Sequence, residues 1–251
     1  MTPALEVAVE STAQAQLARE AGADRVELCS ALDVGGITPS IGAVTAIVAA
    51  EVPAHVLIRC RPGDFVYTDA ELDVMIRDVQ AIAATGVDGV VLGALTPEGT
   101  IDEVATVKLV SAARQVRRSS RLSVTFHRAI DHAVDPVAAA ALLGRFDIDR
   151  ILTSGGRPSV AQGLEDGILH QMVDAAGSVQ IMAGGGAVVR DAPALLRAGV
   201  AAVHFSARRV NDAAFTREET AVPLSSTPRQ VPSRSTDPEL VRAMAHALRA
   251  E

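Results

Sequence analysis

The sequence predicts a single α/β domain folded as a (β/α)8 TIM barrel with a C-terminal helical extension, and three observations predict it. Short β-branched segments alternate with alanine-rich helical segments along the chain, the pattern that builds a parallel sheet covered by helices. Eight such units can be drawn, the number that closes a barrel. At 251 residues the chain has the length of one such barrel with one core.

The strands fall, in order, at residues 5–9, 25–28, 55–58, 89–92, 122–126, 150–153, 180–183 and 202–205. Helices fit between them, for example at 12–21, 70–84, 103–116, 137–143 and 192–197. Four helix-to-strand turns read alike: Ala21-Gly22-Ala23-Asp24, Thr85-Gly86-Val87-Asp88, Phe146-Asp147-Ile148-Asp149 and Ala198-Gly199-Val200. They recur at a period of about 60 residues, two βα units. Glycine suits the left-handed residue that ends a helix, so these turns belong to the face of the barrel that serves stability. The loops on the opposite face, at 29–40 and 60–68, are longer and chemically richer, and that face is where barrels build sites. The barrel therefore occupies 1–207. Residues 208–251 form an extension on the same domain: a polar, Pro- and Ser-bearing stretch at 217–235, read as a lid, an oligomer contact or a loop, then a helix at 239–249 introduced by Asp237-Pro238.

A net charge of −7 and 2% aromatic residues argue against a nucleic-acid partner, which needs a cationic surface and stacking platforms. No apolar run reaches the 18 residues of a membrane span and no secretory signal opens the chain, so no membrane partner and a cytoplasmic location are expected. Two cysteines, Cys29 and Cys60, are too few for a disulfide framework and raise a question of metal binding. The sole lysine, Lys108, lies within a predicted helix, which disfavours Schiff-base chemistry. No motif for an organic cofactor is evident; a small molecule or a metal ion is the expected partner.

The two-residue strand period places Arg25, Glu27 and Cys29 on one side of the second strand. A carboxylate there is either paired with an arginine inside the barrel or functional as an acid or base. At the end of the third strand Arg59 and Arg61 bracket Cys60 and, with Asp64 nearby, read as an anion clamp; turning Arg59 inward turns Cys60 toward the helices. The fifth strand runs into His127-Arg128-Ala129-Ile130-Asp131, where His127 stands as a general acid or base and Asp131 as the group fixing its tautomer. Donors for an anion are expected from Arg128, from Thr153, Ser154 and Gly155 after the sixth strand, from Gly184 and Gly186 after the seventh, and from His204 and Ser206 at the eighth. Glu6, Glu27, His127 or His204 offer oxygen and nitrogen ligands for a divalent ion.

Taken in order, Ala23-Asp24-Arg25-Val26-Glu27-Leu28-Cys29, Gly35-Gly36-Ile37-Thr38-Pro39-Ser40, Arg61-Pro62-Gly63-Asp64-Phe65, Thr125-Phe126-His127-Arg128-Ala129, Ile151-Leu152-Thr153-Ser154-Gly155 and Ile181-Met182-Ala183-Gly184 resemble the signature segments of the CutC copper-homeostasis family, through to about Ala207. The resemblance implies a TIM barrel, a cytoplasmic location, an association with copper and a homo-oligomer. Family members commonly carry cysteines in the first strand, where this chain has Val7-Ala8-Val9. Two functions follow. One is copper binding, with Cys29 as the soft ligand that Cu(I) prefers. The other is an enzyme, an isomerase, lyase or hydrolase, acting on a small anionic or sugar-like substrate through Glu27, His127 and the strand-end arginines.

Overall fold

A computed structural model describes residues 2–116, 121–210 and 234–250. Eight parallel strands close into a barrel in chain order: β1 (Ala4–Val9), β2 (Arg25–Leu28), β3 (Ala54–Leu57), β4 (Gly89–Leu92), β5 (Ser123–Phe126), β6 (Arg150–Thr153), β7 (Gln180–Ala183) and β8 (Ala202–Phe205). Around them lie α1 (Thr12–Glu20), α2 (Ile41–Ala49), α3 (Asp69–Ala84), α4 (Glu103–Gln115), α5 (Pro136–Leu143), α6 (Val160–Glu165), α7 (Ile168–Ala175) and α8 (Ala192–Arg197). The β6–β7 connection holds two helices because Gly167, at φ 70°, breaks the chain between them. None of the described helices is long and apolar enough to cross a membrane.

The repeated turns have a shared physical basis. Asp24, Asp88 and Asp149 each accept a backbone N–H from the preceding odd strand, at Leu5 (2.7 Å), Ala54 (2.9 Å) and Val124 (2.8 Å). Each returns its own backbone N–H to the carbonyl of that same residue. Gly22, Gly86 and Gly199 take positive φ as the helix-ending role requires, and Asp147 fills the same place at φ 55°. The fourth turn lacks the carboxylate; Ala201 donates to Ile181 instead.

After β8 the chain forms β9 (Arg208–Val210), which pairs antiparallel with β10 (Arg234–Thr236) and leads into α9 (Pro238–Arg249). This ribbon was not expected from the sequence, since each strand has three residues and its partner lies far along the chain. Residues 211–233, most of the polar stretch, lie outside the described residues. Asp237 caps α9 as its Asp-Pro start predicts, accepting from the Glu239 N–H at 2.9 Å. The helix packs against α1 and α8.

The apolar core divides in two. The main cluster fills the space between barrel and helices, while small patches such as Leu152, Met182 and Ala202 pack inside the barrel. That division leaves the inner positions of several strands to polar side chains.

Candidate functional site

Barrel register decides which polar groups meet. Glu6 pairs with Arg25 on β2 and with His204 on β8, and Glu27 pairs with His55 on β3, so all five side chains point inward from adjoining strands. Arg25 Nε donates to Glu6 Oε2 at 2.5 Å and His55 Nδ1 lies 3.5 Å from the same oxygen. His204 Nδ1 sits between two carboxylates, 3.0 Å from Glu6 Oε1 and 3.3 Å from Glu27 Oε2. Glu6 is 0% and Glu27 6% exposed.

Their electrostatics differ because only one of the two carboxylates has the arginine. Burial works to raise Glu6, but Arg25, His204 and His55 outweigh it and hold the carboxyl well below its usual range. Burial lifts Glu27 to about 7; His204 opposes the rise and the charge of Glu6 adds to it. For His204 burial disfavours the cation, and Glu27 and Glu6 together more than reverse this, so its pKa is raised. His55 is depressed by burial to about 4. Glu6 is thus a fixed anion, and Glu27 and His204 compete for one proton near neutral pH.

Above this network opens a cavity of about 280 Å3, lined by Glu27, Cys29, Leu57, Leu152 and His204 from the strands, by Arg59, His127 and Arg128 from strand ends, and by Leu32, Val34, Phe65 and His132 from loops. Arg59 is 6% exposed and spends its guanidinium on backbone carbonyls: Nη1 donates to Val34 (3.1 Å) and Gly36 (2.9 Å), and Nη2 to Gly63 (2.7 Å). Among the described residues no carboxylate pairs with it. His127 is 5% exposed, and its Nδ1 accepts the Ala129 N–H at 3.1 Å, which puts the ring proton on Nε2. Among the described residues that buried Nε2 has no hydrogen-bond partner. Burial, with Arg59 adding, depresses His127 to about 3, so the ring stays neutral. Phe65 stacks beside it, ring centroids 5.0 Å apart, and lies 5.0 Å from the Arg59 guanidinium carbon.

Other expected site residues are placed elsewhere. Arg61 and Asp64 do not line the cavity: Arg61 Nε holds Glu71 at 2.5 Å and Nη2 holds Asp64 at 3.0 Å, tying the loop to α3. Regular strand structure stops at Leu57, so the two-residue period that puts Arg59 inside no longer governs Arg61. Asp131 does not fix the His127 tautomer; the Ala129 N–H does. The turn after His127 carries Asp131 toward β6, where it accepts from Arg128 Nε (2.7 Å), Thr153 Oγ1 (2.6 Å), Ser154 N (3.0 Å) and Gly156 N (3.0 Å). The donors expected from Thr153, Ser154 and Gly155 are therefore used within the protein, the Gly155 N–H by Thr153 Oγ1 at 2.8 Å. Gly184 is a packing glycine whose N–H is taken by the Thr153 carbonyl; a Cβ there would stand 2.6 Å from Leu152 Cδ1 and 2.8 Å from His204 Cβ. Arg25 and Glu6 lie in the network beneath the cavity, and Gly186 and the exposed Ser206 do not line it.

The thiols separate as strand parity predicts. Cys29 packs with Leu57 and Val91 inside the barrel, while Cys60 packs against the outer core. Burial, reinforced by Glu27 and Glu10, pushes the Cys29 thiol far up, which opposes the thiolate a metal needs. Met182 Sδ is contacted by Arg25 Nη2 at 3.3 Å and brings no second free sulfur. This donor set does not fit Cu(I). Single ligand atoms of Glu6, Glu27 and His204 lie within 4.8 Å of one another, a spacing a hard ion accepts. The Arg25 guanidinium against Glu6 opposes a second cation, and a proton on His204 fills the same gap.

Sequence reasoning missed His55, Phe65 and His132. Counting back in twos from Arg59 exposes His55 as inward-facing; Phe65 and His132 sit on loops, where no period applies.

The sequence profile described as the CutC family matches residues 3–209. A "family protein CutC" of Xanthomonas campestris pv. campestris is 44% identical over 81% of this chain and 82% of its own length. The human "copper homeostasis protein cutC homolog" is 37% identical over 89% of this chain and 80% of its own. The crystal structure of the putative copper homeostasis protein CutC from Streptococcus agalactiae superposes with a TM-score of 0.72 at 29% identity, covering 81% of this chain and 98% of that one. A barrel of this strand order, with its inward Glu6, Glu27 and His204, and these matches over most of the length lead to one assignment: the chain belongs to the CutC family.

Proposed function

We propose that this chain serves copper homeostasis in the cytoplasm, and that its barrel mouth works as an enzyme site moving a proton on a small anionic or sugar-like molecule. The relatives' names support the copper-homeostasis part. The second rests on one observation: Glu27, a buried carboxyl 3.3 Å from His204 Nδ1, stands on the wall of a cavity sized for a small metabolite, and its burial pushes it up to about 7. A carboxyl that is half ionised near neutrality can both take and return a proton, which isomerisation, elimination and hydrolysis all require.

Direct copper binding is the second reading; it would have Cys29 on the same cavity wall as its one soft ligand, against the burial that keeps that thiol protonated. One experiment separates the two. Metal-free protein is incubated with small hydroxy acids, keto acids and sugar phosphates in D2O and followed by NMR, beside an anaerobic Cu(I) titration against a competing chelator. The enzyme reading expects exchange or conversion that Glu27→Gln abolishes and Cys29→Ser retains. Stoichiometric Cu(I) uptake lost in Cys29→Ser, with no conversion of any compound, overturns it.

A further inference from the structure

Two polar groups at the cavity remain unmatched. Arg59 is a buried cation held by three carbonyls, which orient it without neutralising it. His127 offers a buried N–H that nothing among the described residues receives. Charged and polar groups this deep in a fold are ordinarily paired, so two such groups side by side call for one missing partner.

Register shows that they are side by side. β3 pairs Leu57 with Val91 and β5 pairs Phe126 with Leu92, so continuing the strands brings Arg59, Gly93 and His127 into one inward row. Gly93, in the middle of the row, makes room for the imidazole, which lies across it: a Cβ there would stand 2.6 Å from His127 Nδ1. Phe65 packs on both the guanidinium and the imidazole and forms an apolar lid over the pair.

We propose that Arg59 and the Nε2–H of His127 form an oxyanion subsite that takes the carboxylate or phosphate group of a small ligand. Arg59 supplies the compensating charge and His127 a directional donor. This assigns His127 to binding, as a neutral N–H donor, in place of the acid–base role expected from sequence. Its depressed pKa keeps it from becoming a second cation beside Arg59. The other cation at the cavity, Arg128, is already matched by Asp131 and makes no equal claim on the ligand. The inference rests on the enzyme reading above and deepens it by placing the substrate's charged end at the β3–β5 wall, away from Glu27 on β2.

The test uses the full chain, metal-free, with oxalate and inorganic phosphate as separate probes and chloride as the ionic-strength control. Binding is read by calorimetry and by the 15N–1H resonance of His127 Nε2. Oxalate or phosphate is expected to bind and to shift that resonance; the tighter of the two identifies a carboxylate or a phosphoryl ligand. Arg59→Met and His127→Phe are each expected to weaken binding by about tenfold to a hundredfold, as charge-assisted hydrogen bonds do. His127→Gln, which keeps an acceptor and an N–H, is expected to restore part of it, and Arg61→Ala, outside the cavity, to leave it intact. The shift of the Nε2–H in the unaltered protein covers the case in which a variant fails to fold. No binding of either anion, or binding with neither the shift nor sensitivity to Arg59 and His127, overturns the subsite. Anion binding as expected beside thiol-dependent Cu(I) uptake and no conversion would overturn the enzyme reading alone.

Discussion

Two corners of the barrel mouth carry similar residues in opposite states. At the β5–β6 corner, Asp131 collects Arg128, Thr153 and the backbone of Ser154 and Gly156, and its side chain is 4% exposed. At the β3 corner, Arg59 hydrogen-bonds backbone carbonyls and packs on Phe65; among the described residues no carboxylate stands against it, and nothing accepts from the neighbouring His127 Nε2–H. The first corner is a finished structural unit. The second is one ligand short of being finished. Charge at a strand end is shared by both, so charge does not distinguish a site from a strut; the identity of each partner does.

The comparison breaks most readily at Asp131. Asp131→Ala strands several buried donors and leaves Arg128 without its anion, and an expected loss of about 3–5 kcal/mol follows from removing one partner of such a cluster. Chemical denaturation measures it. If the variant loses under about 1 kcal/mol, the corner is not the strut described. His127→Phe should stay within about 1 kcal/mol of the parent, because the lost turn cap is offset by removal of an orphan N–H. A stability loss as large as that of Asp131→Ala would mean His127 is structural.

Acidity sharpens the same contrast. His127 and His55 have folded values near 3 and 4 against an ordinary 6.5, so the unfolded chain takes up protons that the fold refuses. Their contribution is complete above about 6.5 and is lost as pH falls toward 4 and 3. Glu27 runs the other way: raised from 4.5 to about 7, it contributes fully below 4.5 and loses this as pH rises through 7. Unfolding free energies measured from pH 4 to 8 should therefore lose part of their acid slope in His127→Phe and part of their decline between 4.5 and 7 in Glu27→Gln. Unchanged profiles in both variants would remove the electrostatic description of the site.

Most of the fold was legible because a parallel barrel is written locally: all eight strands and six of the helices stand in contiguous segments, while α2, α6 and α7 were not named. The Asp24, Asp88 and Asp149 turns are the clearest case: a carboxylate two residues past the helix-ending position closes a contact seen in the sequence only as a repeat. The ribbon of β9 and β10 was not legible because its two halves meet across a long intervening stretch. At the candidate site, Glu27, Cys29, Arg59, His127 and His204 follow strand parity and line the cavity. Arg61, Asp64 and Asp131 lie past the strand ends, where one bend redirects a side chain; Arg61 finds a partner on α3 and Asp131 on β6, elements that parity does not relate to them, and Asp64 is held within its own loop by Arg61.

Arg61 gives the smallest expected effect and the most direct check on that reading. It stands two residues from Arg59, carries the same charge and was expected to grip the same anion. Its guanidinium is about a third exposed and holds Glu71 and Asp64. Glu71 also accepts from the Thr68 N–H at 2.8 Å, closing the capping box of α3, and that contact survives without the arginine. Arg61→Ala should thus lower thermal stability slightly, as exposed ion pairs do, and leave oxalate or phosphate affinity where the parent has it. If affinity instead falls as far as in Arg59→Met, both arginines act on the ligand and the loop must close inward on binding; if it holds, a single buried guanidinium with no carboxylate partner is what marks the site.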